Sequence, residues 1–196
     1  MQLGIAILLP DDVHNAMRRW QLAVADLCGA NAALKVHPHI TLKQPFHAGA
    51  LGPIEDYFDR LTEQVKPVEI VLDGAGRFED DEVVFLAVTP QPRLEALRLR
   101  VLADLRERFG IKPRDIEDER YRFHATVAYG LPAGTFERAW EALRGVEARF
   151  SFRLRGLGLF YYNGQEWVLY KKARLRRALA SGAEPQPEEE DFRHVR

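Results

Sequence analysis

His39-Ile40-Thr41-Leu42 and His124-Ala125-Thr126-Val127 are one four-residue pattern written twice: histidine, apolar residue, threonine, apolar residue. In a β-strand, alternate side chains share a face. His39 and Thr41 therefore point one way, Ile40 and Leu42 the other, and the second motif repeats the arrangement. The chain holds 6 His. Random placement of its few threonines would put one two positions after a histidine about 0.15 times, so two hits in matching apolar context carry information that one would not. Two imidazoles and two hydroxyls on two strands can converge on one small anion. That set suffices for metal-free general acid–base chemistry at a phosphate.

A second repeat follows the first. Leu72-Asp73-Gly74-Ala75-Gly76-Arg77-Phe78 trails the first motif, and Leu154-Arg155-Gly156-Leu157-Gly158-Leu159-Phe160 trails the second. Both contain Gly-x-Gly-x-Phe, and a further strand pattern comes after each. The chain reads as a duplicated unit. The Gly-x-Gly segments lie inside strand patterns, where glycine marks a bulge or a close backbone approach. The G-x-G-x-x-G loop of dinucleotide binding is absent.

The rest of the chain supplies the other elements. Leu3 to Leu9 reads as a buried strand. Helix periodicity runs from Asp11 or Asp12 to a stop at Gly29, from Gly52-Pro53 past Leu61, from Pro92 to Gly110, and from Thr135 to Leu143. Strands are expected at 37–43, 68–78, 83–89, 121–129 and 149–161. A hairpin turn at Asn163-Gly164 leads to a partner strand at 165–171. Residues 111–121 read as an exposed charged loop and Ala173 to Ala180 as a short basic helix. The expected fold is α+β and bilobal. Two mainly antiparallel sheets face a central cleft with helices outside, in one domain over residues 1–180. Residues 181–196, rich in Pro and Glu, read as a disordered acidic tail.

Composition narrows the function classes. A length of 196 residues and 46% hydrophobic content fit one globular domain with a substantial core. The net charge of −1 argues against a protein that coats long nucleic acid. The tail holds much of the acidic charge, so the body before it is mildly positive. The single Cys28 can form no internal disulfide. No secretory signal or bilayer-spanning run is evident, and a cytoplasmic monomer without a membrane partner is the expectation.

The motifs HITL and HATV, their separation and the trailing Gly-x-Gly-x-Phe segments resemble the two-histidine phosphoesterase superfamily. Within it the chain is most similar to the RNA ligase T-like, or 2′-5′ RNA ligase, branch, over about residues 1–171. The resemblance implies a bilobal fold with both motifs lining a cleft. It also implies opening of 2′,3′-cyclic phosphates, on RNA ends or small nucleotides, without a metal or other cofactor. Some relatives also join or cleave 2′-5′ linkages. On this basis His39 is the expected general acid and His124 the general base, with Thr41 and Thr126 donating to the non-bridging oxygens. Strand alternation adds His37, Lys43 and Arg122 as expected substrate contacts; Tyr121, also an expected substrate contact, Phe46 and Tyr162 are aromatic candidates for stacking on a base. His14 and His47 find no partner by spacing. Two other readings stay open. One is a non-catalytic binder of RNA ends. The other is a metal hydrolase built on His37 and His39, which would need further ligands.

Overall fold

The computed structural model describes residues 1–117 and 121–175. Eight strands and four helices follow one another in the order β1 (Gln2–Leu8), α1 (Asp11–Cys28), β2 (His39–His47), α2 (Leu51–Gln64), β3 (Glu69–Phe78), β4 (Val83–Val88), α3 (Pro92–Phe109), β5 (His124–Ala128), α4 (Phe136–Arg144), β6 (Arg149–Arg153), β7 (Gly156–Tyr162) and β8 (Trp167–Arg174). The α+β class and the antiparallel pairing are as expected. The expected helix ends also hold at Gly29 and Gly110. Both adopt the left-handed conformation, at φ 74° and 67°, and return their amides to the last helical turn.

The expected pair of sheets is instead one continuous sheet, ordered β6-β3-β4-β5-β2-β1-β7-β8. Its centre is thin. β5 meets β2 through a single register pair, Ile40 with Ala125. The repeats also exchange strands across this centre. The first repeat's Gly-x-Gly-x-Phe strand, β3, lies on the β5 side, while the second repeat's, β7, lies on the β2 side.

Connectivity forces the sheet to curve. The expected long strand at 149–161 is broken by Leu154 and Arg155, and the chain passes there from β6 on one edge to β7 near the other. Six strand spacings in a flat sheet would span about 29 Å. The three Cα steps from Arg153 to Gly156 reach only about 11 Å. The sheet therefore rolls into a trough, and Leu154 and Arg155 are tied to both halves. The Leu154 amide donates to the Val68 carbonyl at 2.7 Å, and the Arg155 carbonyl accepts from the Leu175 amide at 2.9 Å.

The convex side carries the core. Ile40, Leu42, Ala125 and Val127, the apolar halves of the two motifs, are at most 1% exposed. α1 and α4 pack over the β5 half, and α2 and α3 over the β2 half. Met17, Val24, Phe58, Leu61, Leu94, Val101, Ala139 and Leu143 point inward from them. Burial of this kind contributes roughly 25 cal/mol per Å² of apolar surface.

Two expectations near the carboxyl end change. Ala173 and Arg174 end β8 rather than opening a helix, because β8 extends its pairing with β7 to Gly156–Arg174. The rest of that expected helix, and the expected tail, lie outside the described residues. The loop before β5 is also less exposed than its charge suggests. Asp115–Glu117 form a turn of 3-10 helix, and Glu117 is buried.

Candidate active site

The thin seam of the sheet is where the two motifs meet. With Ile40 opposite Ala125, antiparallel register sets His39 across from Thr126 and Thr41 across from His124. Ile40 and Ala125 face the core, so all four polar side chains face the trough. A cavity of about 250 Å³ lies there, and His39, Thr41, His124 and Thr126 all line it. The two motif carbonyls are braced from a distance. Thr41 O accepts from the Tyr121 hydroxyl at 2.9 Å, and Thr126 O from Gln21 Nε2 at 3.1 Å.

Each histidine is oriented by the backbone of its own strand. His39 Nδ1 lies 2.7 Å from the His37 carbonyl, and His124 Nδ1 lies 2.7 Å from the Arg122 carbonyl. A carbonyl only accepts, so each Nδ1 carries the proton and donates it. That leaves each Nε2 as the nitrogen available to a ligand. Both imidazoles are pushed toward the neutral form. Burial is the main cause in each case, partly offset by the carbonyl bond. His39 is lowered further by His124, and His124 by the adjacent Arg122 guanidinium.

Aromatic rings seat both imidazoles: Phe160 and Phe78 from the exchanged Gly-x-Gly-x-Phe strands, and Phe85 from β4. Phe160 packs on His39 with ring centroids 4.8 Å apart. Phe78 meets His124 edge-on at 5.0 Å, and Phe85 lies 5.1 Å from the same ring. The glycines make room for these rings. A Cβ on Gly76 would collide with the Phe85 ring, and one on Gly158 would lie 3.0 Å from Phe160 and 2.8 Å from Leu8 and Leu169. The sequence signals a close approach at these glycines; what approaches is the bed on which each histidine rests.

Two expected substrate contacts have their polar groups engaged within the protein. Lys43 is among the residues lining the cavity, but β2 bulges between Thr41 and Lys43 and turns its ammonium inward. Ala6 pairs with Thr41 and Ile5 with Lys43, so Leu42 is skipped and the period of two is broken. The Lys43 ammonium is fully buried, 2.6 Å from Glu117 Oε2, and it also donates to the Gln44 carbonyl at 3.1 Å. Tyr121 is likewise a bracing residue. Its hydroxyl is spent on Thr41 and its ring lies 4.6 Å beneath the Arg98 guanidinium.

Arg122 stays beside His124, with its guanidinium over Phe78 and Phe85 at 5.7 and 5.8 Å. His37 lines the cavity. Of the stacking candidates, Phe46 is core, while Tyr162 packs on Trp167, which itself lines the cavity. Gln21, Tyr129 and Trp167 line it with no signal in sequence spacing. Among the described residues, no group of three or more His, Cys, Asp or Glu side chains is placed to hold a metal ion. No helix among them is long and apolar enough to cross a membrane.

Comparison with known structures places the fold. A structure of TT0787 from Thermus thermophilus superposes with a TM-score of 0.62 at 20% identity, covering 90% of this chain and 98% of that one. E. coli LigT in its apo form gives 0.56 at 18% identity, with the same coverage. E. coli LigT has also been solved in complex with 3′-AMP, and that structure gives 0.54 at 16% identity over 90% of this chain and 98% of that one. Among curated proteins, none matches the sequence. The model of the 2′-5′ RNA ligase superfamily matches residues 9–166, a span that takes in both His-x-Thr motifs and their seats, and the chain belongs to that superfamily.

Proposed function

We propose that this protein is a metal-independent phosphodiesterase that opens 2′,3′-cyclic phosphates at RNA ends or on nucleotides. The observation that carries the reading is the matched pair of imidazoles. Both Nδ1 atoms are held by carbonyls two residues upstream, leaving both Nε2 atoms for one cavity that Thr41 and Thr126 also line.

Opening a cyclic phosphodiester needs two proton transfers on opposite sides of phosphorus. Water loses a proton as it attacks, and the departing ribose oxygen gains one. His124 is the base. Burial and the Arg122 charge keep its imidazole neutral, with Nε2 free to accept. His39 is the acid. Besides burial, the charge that lowers its pKa is that of His124, which is neutral as the base, so the negative charge of a bound phosphate favours protonation of His39 first. Thr41 and Thr126 donate to the non-bridging oxygens, where charge accumulates in the transition state. Threonine suits that task because a carboxylate there would repel the phosphate.

Membership of the superfamily supports phosphodiester chemistry, and a relative of the same fold, E. coli LigT, has been solved with 3′-AMP. Phosphorus NMR tests the reading. Purified protein in EDTA is incubated with adenosine 2′,3′-cyclic phosphate and with a short RNA ending in a cyclic phosphate. Conversion of the cyclic resonance to a monoester is expected. Untouched substrates alongside tight phosphate binding would favour a non-catalytic binder of RNA ends instead.

A further inference from the structure

His37, at the cavity wall, is surrounded by basic side chains that the chemistry above does not use. The His14 ring, from α1, lies 4.5 Å from the His37 ring, which precedes β2 and lines the cavity. Arg18 stands one helical turn beyond His14. It is held in place by Gln21 Oε1 at 2.9 Å and by the Leu34 carbonyl at 3.0 Å.

Lys172 joins them through an irregularity in β8. Leu159 pairs with Lys171 and Phe160 with Leu169, so Tyr170 is an extra residue in the strand. Tyr170 and Lys171 consequently both reach α2, bonding Glu55 at 3.0 Å and Asp59 at 2.8 Å. The alternation resets after them. Lys172 falls on the opposite face, the one shared by Trp167 at the cavity wall and by Leu169, which approaches Gly158 beside Phe160. Its charge acts on both His14 and His37.

The charges are unbalanced. Asp11 favours a charged His14, but Arg18 and Lys172 oppose it. Burial is the main cause that lowers the His37 pKa to about 4, and each charge acting on it, from Lys172, Arg18 and the His14 and His39 rings when protonated, lowers it further. A site that repels its own protons in this way gains most from an anion.

We propose that His37 and Lys172, with His14 and Arg18 behind them, form a second anion subsite for a phosphate group of the substrate other than the one that reacts. The proposal rests on the cyclic phosphodiesterase reading only for the identity of the reacting phosphate. An anion seated there offsets the repulsion between the cations and gives a protonated His37 an acceptor. The subsite adjoins the reacting centre, because the His37 carbonyl is the group that orients His39. In a terminal nucleotide the phosphate on the 5′ oxygen is suitably close. It is a monoester in a free nucleotide and a diester in an RNA chain.

Calorimetric binding of 3′-AMP, adenosine 3′,5′-bisphosphate and the dinucleotide ApAp separates the cases without requiring turnover. The wild type is expected to bind the bisphosphate about tenfold tighter than 3′-AMP or better. In Lys172→Gln and His37→Gln that ratio falls to within about twofold. Equal affinities in the wild type, or a ratio unchanged in Lys172→Gln, would overturn the proposal. Lys172 is exposed, so its variant is expected to fold even where His37→Gln does not. A matching gain with ApAp identifies the RNA backbone as the source. A gain confined to the bisphosphate identifies a terminal phosphate.

NMR titration of the His37 imidazole gives a second readout. Its pKa rises from about 4 when saturating bisphosphate is present and stays low with 3′-AMP. A value that stays low with both overturns the subsite. Bisphosphate preference without turnover of any cyclic phosphate would sustain the subsite while removing the proposed activity.

Discussion

The Tyr121 hydroxyl donates a 2.9 Å hydrogen bond to the Thr41 carbonyl, so the segment leading into one motif strand braces the other. The two motif strands share one register pair, and side chains supply what the missing ladder bonds would have. Arg98 extends the brace, covering the Tyr121 ring and donating to the Glu117 carbonyl at 3.0 Å. Tyr121→Phe keeps the ring and removes the bond. A stability loss of about 0.5–1.5 kcal/mol in urea unfolding is expected, with kcat falling more than KM changes. A rise in KM alone would return Tyr121 to substrate contact.

His39→Ala and His124→Ala are each expected to lower turnover by about 10²–10⁴-fold. The proton transfers are coupled, so the double variant is expected to be little worse than either single one. Single-turnover rates with a cyclic nucleotide in EDTA check this. Near wild-type rates in both single variants would remove the mechanism.

Arg122 gives the pH profile a testable sign. Its positive charge disfavours protonation of His124 and so lowers that pKa, in addition to the larger effect of burial. The acid limb of kcat/KM, which reports the base, should lie below the ordinary histidine value of about 6.5. Arg122→Gln removes one lowering influence, and the acid limb should move up toward that value. If the basic limb moves instead, the roles of His39 and His124 are exchanged.

Glu117 organises the loop before β5. Its carboxylate accepts from Lys43 Nζ at 2.6 Å, from the Gln44 amide at 2.7 Å and from the Arg114 amide at 2.9 Å. Burial pulls the Lys43 pKa down while Glu117 holds it up. Glu117→Ala would strand a buried ammonium and two amides, at a cost of about 3–5 kcal/mol. Lys43→Met combined with Glu117→Gln should recover much of that. Chemical denaturation of the three proteins measures the difference.

The residues that sequence reading finds and those it misses differ in kind. Alternation along an unbroken strand is local, so His39, Thr41, His124 and Thr126 are legible, and their core-facing partners with them. Lys43 departs from that alternation through one skipped pairing at Leu42, because a bulge shows only once the partner strand is known. Tyr121 falls on the opposite parity from His124, and its hydroxyl answers to a carbonyl 80 positions away. The break at Leu154-Arg155 is invisible locally, because both flanking segments read as strand. His14 has no partner by spacing, since the ring it meets, His37, comes from another element.

The glycine beneath His39 offers the sharpest test of how seat and chemistry are linked. Gly158→Ala adds one methyl group to a strand with no left-handed requirement, so backbone strain is not at issue. The new Cβ would lie 2.8 Å from Leu8 and Leu169 and 3.0 Å from the Phe160 ring. Leucine tips can rotate away, but the ring is held against His39 at 4.8 Å, so the imidazole shifts with it. Overpacking of this size costs about 1–3 kcal/mol. The catalytic effect should exceed what that loss explains. Displacing the acid by a fraction of an ångström lengthens proton transfer to the leaving oxygen, and kcat is expected to fall about 10-fold or more with KM nearly unchanged. Phe160→Leu, which vacates the seat without crowding it, separates the two effects. If both variants lose stability but keep kcat, the aromatic bed is packing alone.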